Sequence, residues 1–263
     1  MMLLLQGILF LLSCYALGCC VAYWLQETLI FHPTVLTKDY TFHFETDYEE
    51  LYLEVAPNIH LHALHFRAEN SKGIVFYVHG NAGSLQDWGS LSSLYLSLGY
   101  DLFMFDYRGF GKSDGAIKSQ QQFFGDVQIL YNYVKSQWGE NQIVVEGFSI
   151  GTAAAAKIAV ENNPKHLILK APYYSLFHLI KSRHRYLPKL LLKYQFRTID
   201  FLKQVRCPAT VFHGTADELI PVSNAERLLE EVSSINFLVI PDCLHNDIPY
   251  SFIYQEKMQT ILV

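Results

Sequence analysis

The stretch Ile143-Val144-Val145-Glu146-Gly147-Phe148-Ser149-Ile150-Gly151-Thr152-Ala153-Ala154-Ala155-Ala156 decides the reading of this chain. Ile143 to Val145 form a short apolar run, the pattern of a strand covered on both faces of a sheet. A Gly-x-Ser-x-Gly turn follows, and four alanines then open a helix. A serine on a turn between strand and helix has its hydroxyl raised above the sheet edge. The turn is strained, and only small neighbours let strand and helix pack closely enough to form it. Gly147 and Gly151 supply that smallness, so Ser149 is the candidate nucleophile.

Working outward, further short apolar runs lie at 74–78, 102–105, 167–169, 210–212 and 237–240. Helix-length segments at 87–98, 119–137, 150–161 and 222–231 lie between most of them. Strands alternating with helices imply right-handed crossovers and a doubly wound, mostly parallel α/β sheet. A hairpin at 48–55 and 59–66, turned at Pro57-Asn58, precedes the alternation. His60 and His62 share one face of its second strand and read as a solvated face rather than a metal site. In open α/β sheets ligands bind beyond the carboxyl ends of the strands, and that edge carries the polar and glycine-rich clusters of this sequence.

A serine hydroxyl needs a base, and the base needs an orienting carboxylate. Asp217 follows one later strand and His245 the last, which is the order serine, acid, histidine. Asp242 and Asp247 are too near His245 in sequence to sit opposite its ring. His79 and His213 open their turns and read as structural. A developing oxyanion needs two donors. Ile150 N–H supplies one, and Asn81 N–H, in His79-Gly80-Asn81-Ala82-Gly83, is the expected second, with Ala82 as the alternative.

Asp106-Tyr107-Arg108-Gly109-Phe110-Gly111-Lys112-Ser113-Asp114-Gly115 contains fragments of two nucleotide-binding motifs and completes neither. Asp106 stands where a phosphate loop needs its first Gly, and Asp114 where a dinucleotide fingerprint needs its last. The segment reads as a structural turn with Arg108 paired to a carboxylate. A net charge of −5 also argues against a nucleic-acid partner. Half of the residues are hydrophobic and 17% are charged, which excludes a disordered chain. Cys207 and Cys243 lie near opposite ends of the sheet, too far apart to bridge.

Residues 1–26 hold no charged side chain before the helix end and are long enough to cross a bilayer, with Tyr23 and Trp24 where an interfacial belt falls. The reading is an uncleaved single-pass anchor, followed by one domain over 27–263. Lipidation at Cys19, in Ala16-Leu17-Gly18-Cys19, cleavage of the segment and a buried helix are the alternatives. No Lys or Arg precedes Lys38 to orient the segment.

These motifs resemble the α/β-hydrolase superfamily over about residues 28–255. Within it they resemble membrane-anchored, short-lid serine hydrolases grouped with serine-aminopeptidase-like and lysophospholipase-like domains. The resemblance implies Ser149 as nucleophile, Asp217 as acid, His245 as base and Asn81 with Ile150 as oxyanion donors. No metal or cofactor is implied. Asp242-Cys243-Leu244 departs from the pattern, since relatives often carry Gly there. A lid is expected at about 172–206, where eight of the chain's 20 Lys and Arg face the single Asp200. They are Lys181, Arg183, Arg185, Lys189, Lys193, Arg197, Lys203 and Arg206. Leu187, Leu190, Leu191, Leu192, Phe196, Ile199 and Leu202 are interleaved with them. This stretch can cover the site or lie on an anionic membrane. The expected reaction is cleavage of an ester or acyl-thioester of a lipid or acylated protein. A serine-aminopeptidase-type amidase and a non-catalytic membrane scaffold are the alternatives.

Overall fold

A computed structural model of the chain describes residues 2–183, 186 and 188–262. Eight strands make one sheet: β1 Tyr48–Ala56, β2 Ile59–Phe66, β3 Ile74–Val78, β4 Asp101–Phe105, β5 Ile143–Phe148, β6 His166–Lys170, β7 Ala209–Gly214 and β8 Asn236–Ile240. Their spatial order is β8-β7-β6-β5-β3-β4-β2-β1. β3 to β8 are parallel, and β2 runs antiparallel to both β1 and β4. The β1–β2 hairpin turns where expected, with Asn58 at φ +60°, a conformation its short polar side chain tolerates.

The main helices are α1 Met2–Trp24, α2 Gln26–Ile30, α3 Gln120–Lys135, α4 Gly151–Glu161, α5 Leu176–Arg183, α6 Ser223–Glu231 and α7 Phe252–Leu262. α3 starts at Ser119, whose hydroxyl accepts the Gln122 N–H and satisfies one orphan donor of the first turn. Segment 87–98 is not one helix. It breaks into Leu85–Trp88 and Ser92–Ser97 around a tight turn at Gly89–Leu91. There the Phe44 ring lies so close to Gly89 that a Cβ would stand 2.7 Å from a ring carbon.

The sheet is covered on both faces, as its apolar strands require. Ile74, Phe76 and Val78 pack with α3, α4 and α6 on one side. Val75 and Tyr77 pack with Leu85, Leu91, Tyr95 and α7 on the other.

The expectation of a wet face at His60 and His62 fails for His62, which is fully buried. Its ring stacks on Phe42, 5.5 Å between centroids, and Nε2 lies 2.9 Å from Glu50 Oε2. An aromatic segment carrying Tyr40, Phe42 and Phe44 folds over that face, and nothing in the period-2 pattern of the strand announces it. His60 is half-buried, 3.5 Å from Asp114. Arg108 is paired as expected, with two 2.7 Å bonds to Asp126. Cys207 and Cys243 are both free thiols.

Candidate active site

Ser149 sits one residue past β5 with φ +53°. A non-glycine residue held left-handed costs on the order of 1–3 kcal/mol and persists only where its surroundings impose it. They do so here. A Cβ at Gly147 would stand 2.7 Å from Ala155 Cβ, and one at Gly151 would stand 2.6 Å from the His79 carbonyl. The Ser149 N–H donates to Lys170 O at 3.0 Å, and its carbonyl accepts from Thr152 Oγ1 at 2.6 Å. The two glycines thus let α4 close against β3 and β5, and the serine takes the strain.

Asp217 and His245 arrive from the ends of β7 and β8. His245 Nδ1 lies 2.6 Å from Asp217 Oδ2, while Asp217 Oδ1 accepts the N–H groups of Leu219 at 2.9 Å and Ile220 at 2.8 Å. Burial pushes the Asp217 carboxyl up. Hydrogen bonds from His213, His245 and Ile220 N–H outweigh that and hold it well below the usual carboxylate range. His213 therefore does more than open a turn: its Nε2 donates to Ile220 O at 2.7 Å and lies 3.4 Å from Asp217 Oδ2.

The His245 ring lies 4.9 Å from the Phe148 ring, centroid to centroid, beside the serine turn. With Nδ1 on the carboxylate, Nε2 is the nitrogen turned away from Asp217. Among the described residues no hydrogen bond joins Ser149 Oγ to His245; in unliganded sites such contacts commonly tighten only with substrate. Asp242, in the stretch before His245, adopts φ +52°, a conformation that aspartate is among the few side chains to accept.

The turn after β3 faces the serine turn. His79 is buried, with its pKa lowered to about 4 by burial, and its ring packs 4.1 Å from that of Tyr107. Among the described residues neither the Asn81 N–H nor the Ile150 N–H has an acceptor within the chain. The Asn81 side chain does: Nδ2 donates to Ile30 O at 2.7 Å, and Asn81 O accepts the His32 N–H at 2.8 Å. Chain leaving α2 therefore stitches this turn in place through a two-residue parallel pairing of His32–Pro33 with Ala82–Gly83.

Two features escaped sequence reasoning. Glu146 and Lys170, on neighbouring strands, form a 2.7 Å ion pair with no solvent exposure. Tyr95 and Tyr254 donate to the same Glu146 oxygen at 3.0 and 2.7 Å. Burial lowers the Lys170 pKa against the opposing pull of Glu146. The second feature is a clasp between the N-terminal helices and segment 171–206. Gln26 Nε2 donates to Leu191 O at 2.7 Å and its Oε1 accepts the Lys193 N–H at 2.8 Å. Glu27 accepts from Tyr194 OH at 2.9 Å and pairs with Lys193 at 3.2 Å.

Other cations of the segment are paired as well: Arg197 with Asp200, and Lys203 with Glu231 at 2.5 Å. Leu192, Phe196, Ile199 and Leu202 are buried, and Leu190 is 95% exposed. Arg185 and Leu187 lie outside the described residues.

A family model described as serine aminopeptidase, S33, matches residues 69–199. A protein of Caenorhabditis elegans described as α/β-hydrolase domain-containing protein aho-3 is 29% identical over 73% of this chain and 58% of its own length. The lysophosphatidylserine lipase ABHD12 of Danio rerio is 27% identical over 62% of this chain and 48% of its own. The chain thus spans about half to three-fifths of the length of these two relatives. The solved esterase Pf2001 of Pyrococcus furiosus superposes with a TM-score of 0.69 at 18% identity, covering 89% of this chain and 97% of that one. This chain belongs to the α/β-hydrolase superfamily. The matched stretch contains Asn81, Ser149 and Ile150; Asp217 and His245 lie beyond it and are brought in by the fold.

Proposed function

We propose that the chain is a membrane-tethered serine hydrolase that cleaves a carboxylic ester or acyl-thioester of a lipid or an acylated protein. The observation that carries this reading is the 2.6 Å Asp217–His245 contact beside a serine held at φ +53°. In the reaction Ser149 Oγ attacks the acyl carbon while His245 Nε2 takes its proton. The resulting oxyanion meets the N–H groups of Asn81 and Ile150. The proton passes to the leaving oxygen or sulfur as that bond breaks, giving an acyl-enzyme. Water then gives its proton to His245 and its oxygen to the acyl carbon, and Ser149 is regenerated. Asp217 stays ionised throughout and fixes the imidazole tautomer.

Tethering is supported by α1. Its 23 residues, none of them charged, bury no side chain in the protein, and at 1.5 Å rise they reach about 34 Å against a hydrocarbon thickness of about 30 Å. The S33 match favours a second reading, amide hydrolysis at a peptide N-terminus. A chain-length series of p-nitrophenyl esters assayed beside amino-acid p-nitroanilides tests the choice. Turnover of the esters with inert anilides is expected. Efficient anilide cleavage with inert esters overturns the ester reading, and no turnover of either would point to a scaffold.

A further inference from the structure

A cavity of about 850 Å³ opens between the N-terminal helices and segment 171–206. Gly18, Cys19 and Ala22 of α1 form one wall and Ile180, Leu191 and Leu192 the other, with Ile30 also in its lining. We propose that this cavity holds the single acyl chain of the substrate, which enters it sideways from the membrane leaflet. The inference rests on the tethered-hydrolase reading and adds where the tail lies.

Three observations carry it. The first is depth. Tyr15 OH donates to Tyr186 O at 2.6 Å. Tyr15 lies nine residues before Trp24, or about 13 Å along the helix. With Tyr23 and Trp24 at the interface, where aromatic belts sit, Tyr186 is placed inside the leaflet. That is a few ångströms deeper than the roughly 5–10 Å to which amphipathic elements sink at an interface. Tyr186 and Leu190 are 76% and 95% exposed, which suits side chains bathed in lipid tails, while the Lys193 ammonium, paired with Glu27, lies 4.6 Å from the Tyr23 ring centroid, at the level of the aromatic belt.

The second is chemistry. Among the described residues that line the cavity only Arg183 is charged, and its guanidinium is turned to the carbonyls of Glu218 at 2.7 Å and Leu219 at 2.8 Å. A mostly apolar lining whose described charge already has its partners suits a hydrocarbon chain, and the cavity's size falls within the range of about 300–1,000 Å³ usual for small-molecule pockets. The third is connection to the site. Ile30 lines the cavity, and its carbonyl holds the Asn81 side chain whose backbone faces the serine turn. Arg183 likewise ties the opposite wall to the loop carrying Asp217.

The test uses the full chain in lipid nanodiscs. A Cβ at Gly18 or at Gly7 would meet nothing within 4 Å, and only Gly18 faces the cavity. Gly18→Trp is expected to lower the ratio of kcat/KM for p-nitrophenyl dodecanoate to that for the acetate by about tenfold or more, while Gly7→Trp preserves it. In a second measurement, palmitic acid carrying a mid-chain diazirine is photolysed with the wild type and with Gly18→Trp. Adducts are expected within 15–30 and 176–192, and depleted in Gly18→Trp. An unchanged ester ratio overturns the proposal, and so do adducts spread evenly along 2–24. If the wild type hydrolyses neither ester, the hydrolase reading has failed, and the adduct positions still decide whether the cavity takes an acyl chain.

Discussion

At the carboxyl edge of the sheet, backbone geometry places the candidate groups: Ser149 by two glycines and a left-handed φ, Asp217 and His245 by the ends of adjacent strands. At the junction of the N-terminal helices with segment 171–206, side chains do the placing, and the partners are remote. Gln26 and Leu191 are 165 residues apart, and Tyr15 and Tyr186 are 171 apart. The first region is packed into buried strands and has little freedom to move. The second is half-exposed and held by a handful of polar contacts. Chemistry that needs groups fixed within tenths of an ångström sits on the former, and binding that must admit a flexible tail suits the latter.

The difference can be broken or sharpened by substitution. Asp217→Asn should cost most, on the order of 10⁴ in kcat for ester hydrolysis, because the amide stabilises the wrong imidazole tautomer. Thermal melting beside the kinetics checks that the loss is catalytic. Lys170→Met leaves Glu146 buried without its cation, and stability should fall by about 3–5 kcal/mol in urea titration. A smaller loss would mean that Tyr95 and Tyr254 suffice to hold that carboxylate.

A pH-dependent effect of intermediate size is expected beneath the turn after β3. Asp106, its pKa raised to about 6 chiefly by burial, lies 3.7 Å from His79 Nε2. In the unfolded chain the same carboxyl titrates near 3.8. Between these values the folded state keeps a proton that the unfolded state has lost, so this group's contribution to stability falls as pH rises from about 4 to 6. Asp106→Asn removes that term and should gain about 3 kcal/mol on the wild type across the window. A difference between the two proteins that is flat with pH contradicts the shift. At the junction, by contrast, Glu27→Gln should cost no more than about 1 kcal/mol, since the pair with Lys193 is partly exposed. A larger loss by the same titration would show the junction to be as rigid as the sheet edge.

The same contrast governs what could be read from sequence. The serine turn, the turns after β3 and β7 and the final histidine follow from rules acting over five to ten residues, in which small residues sit where chain meets chain. Glu146 and Lys170 were overlooked because each interrupts an apolar strand and finds its partner only across the sheet. His62 looked solvated because the cover over it, Tyr40 to Phe44, comes from a segment with no regular pattern. The clasp at Gln26 and Glu27 has no local signature; the basic character of segment 171–206 was visible, but not that Glu27, Asp200 and Glu231 neutralise part of it.

The central claim is that Ser149 is an activated nucleophile, and fluorophosphonate labelling of the full-length protein tests it most directly. The account predicts a single adduct on the peptide carrying Ser149, absent in Ser149→Ala and formed far more slowly in Asp217→Asn. A folded wild-type protein that takes no label, or takes it on another residue, would contradict it.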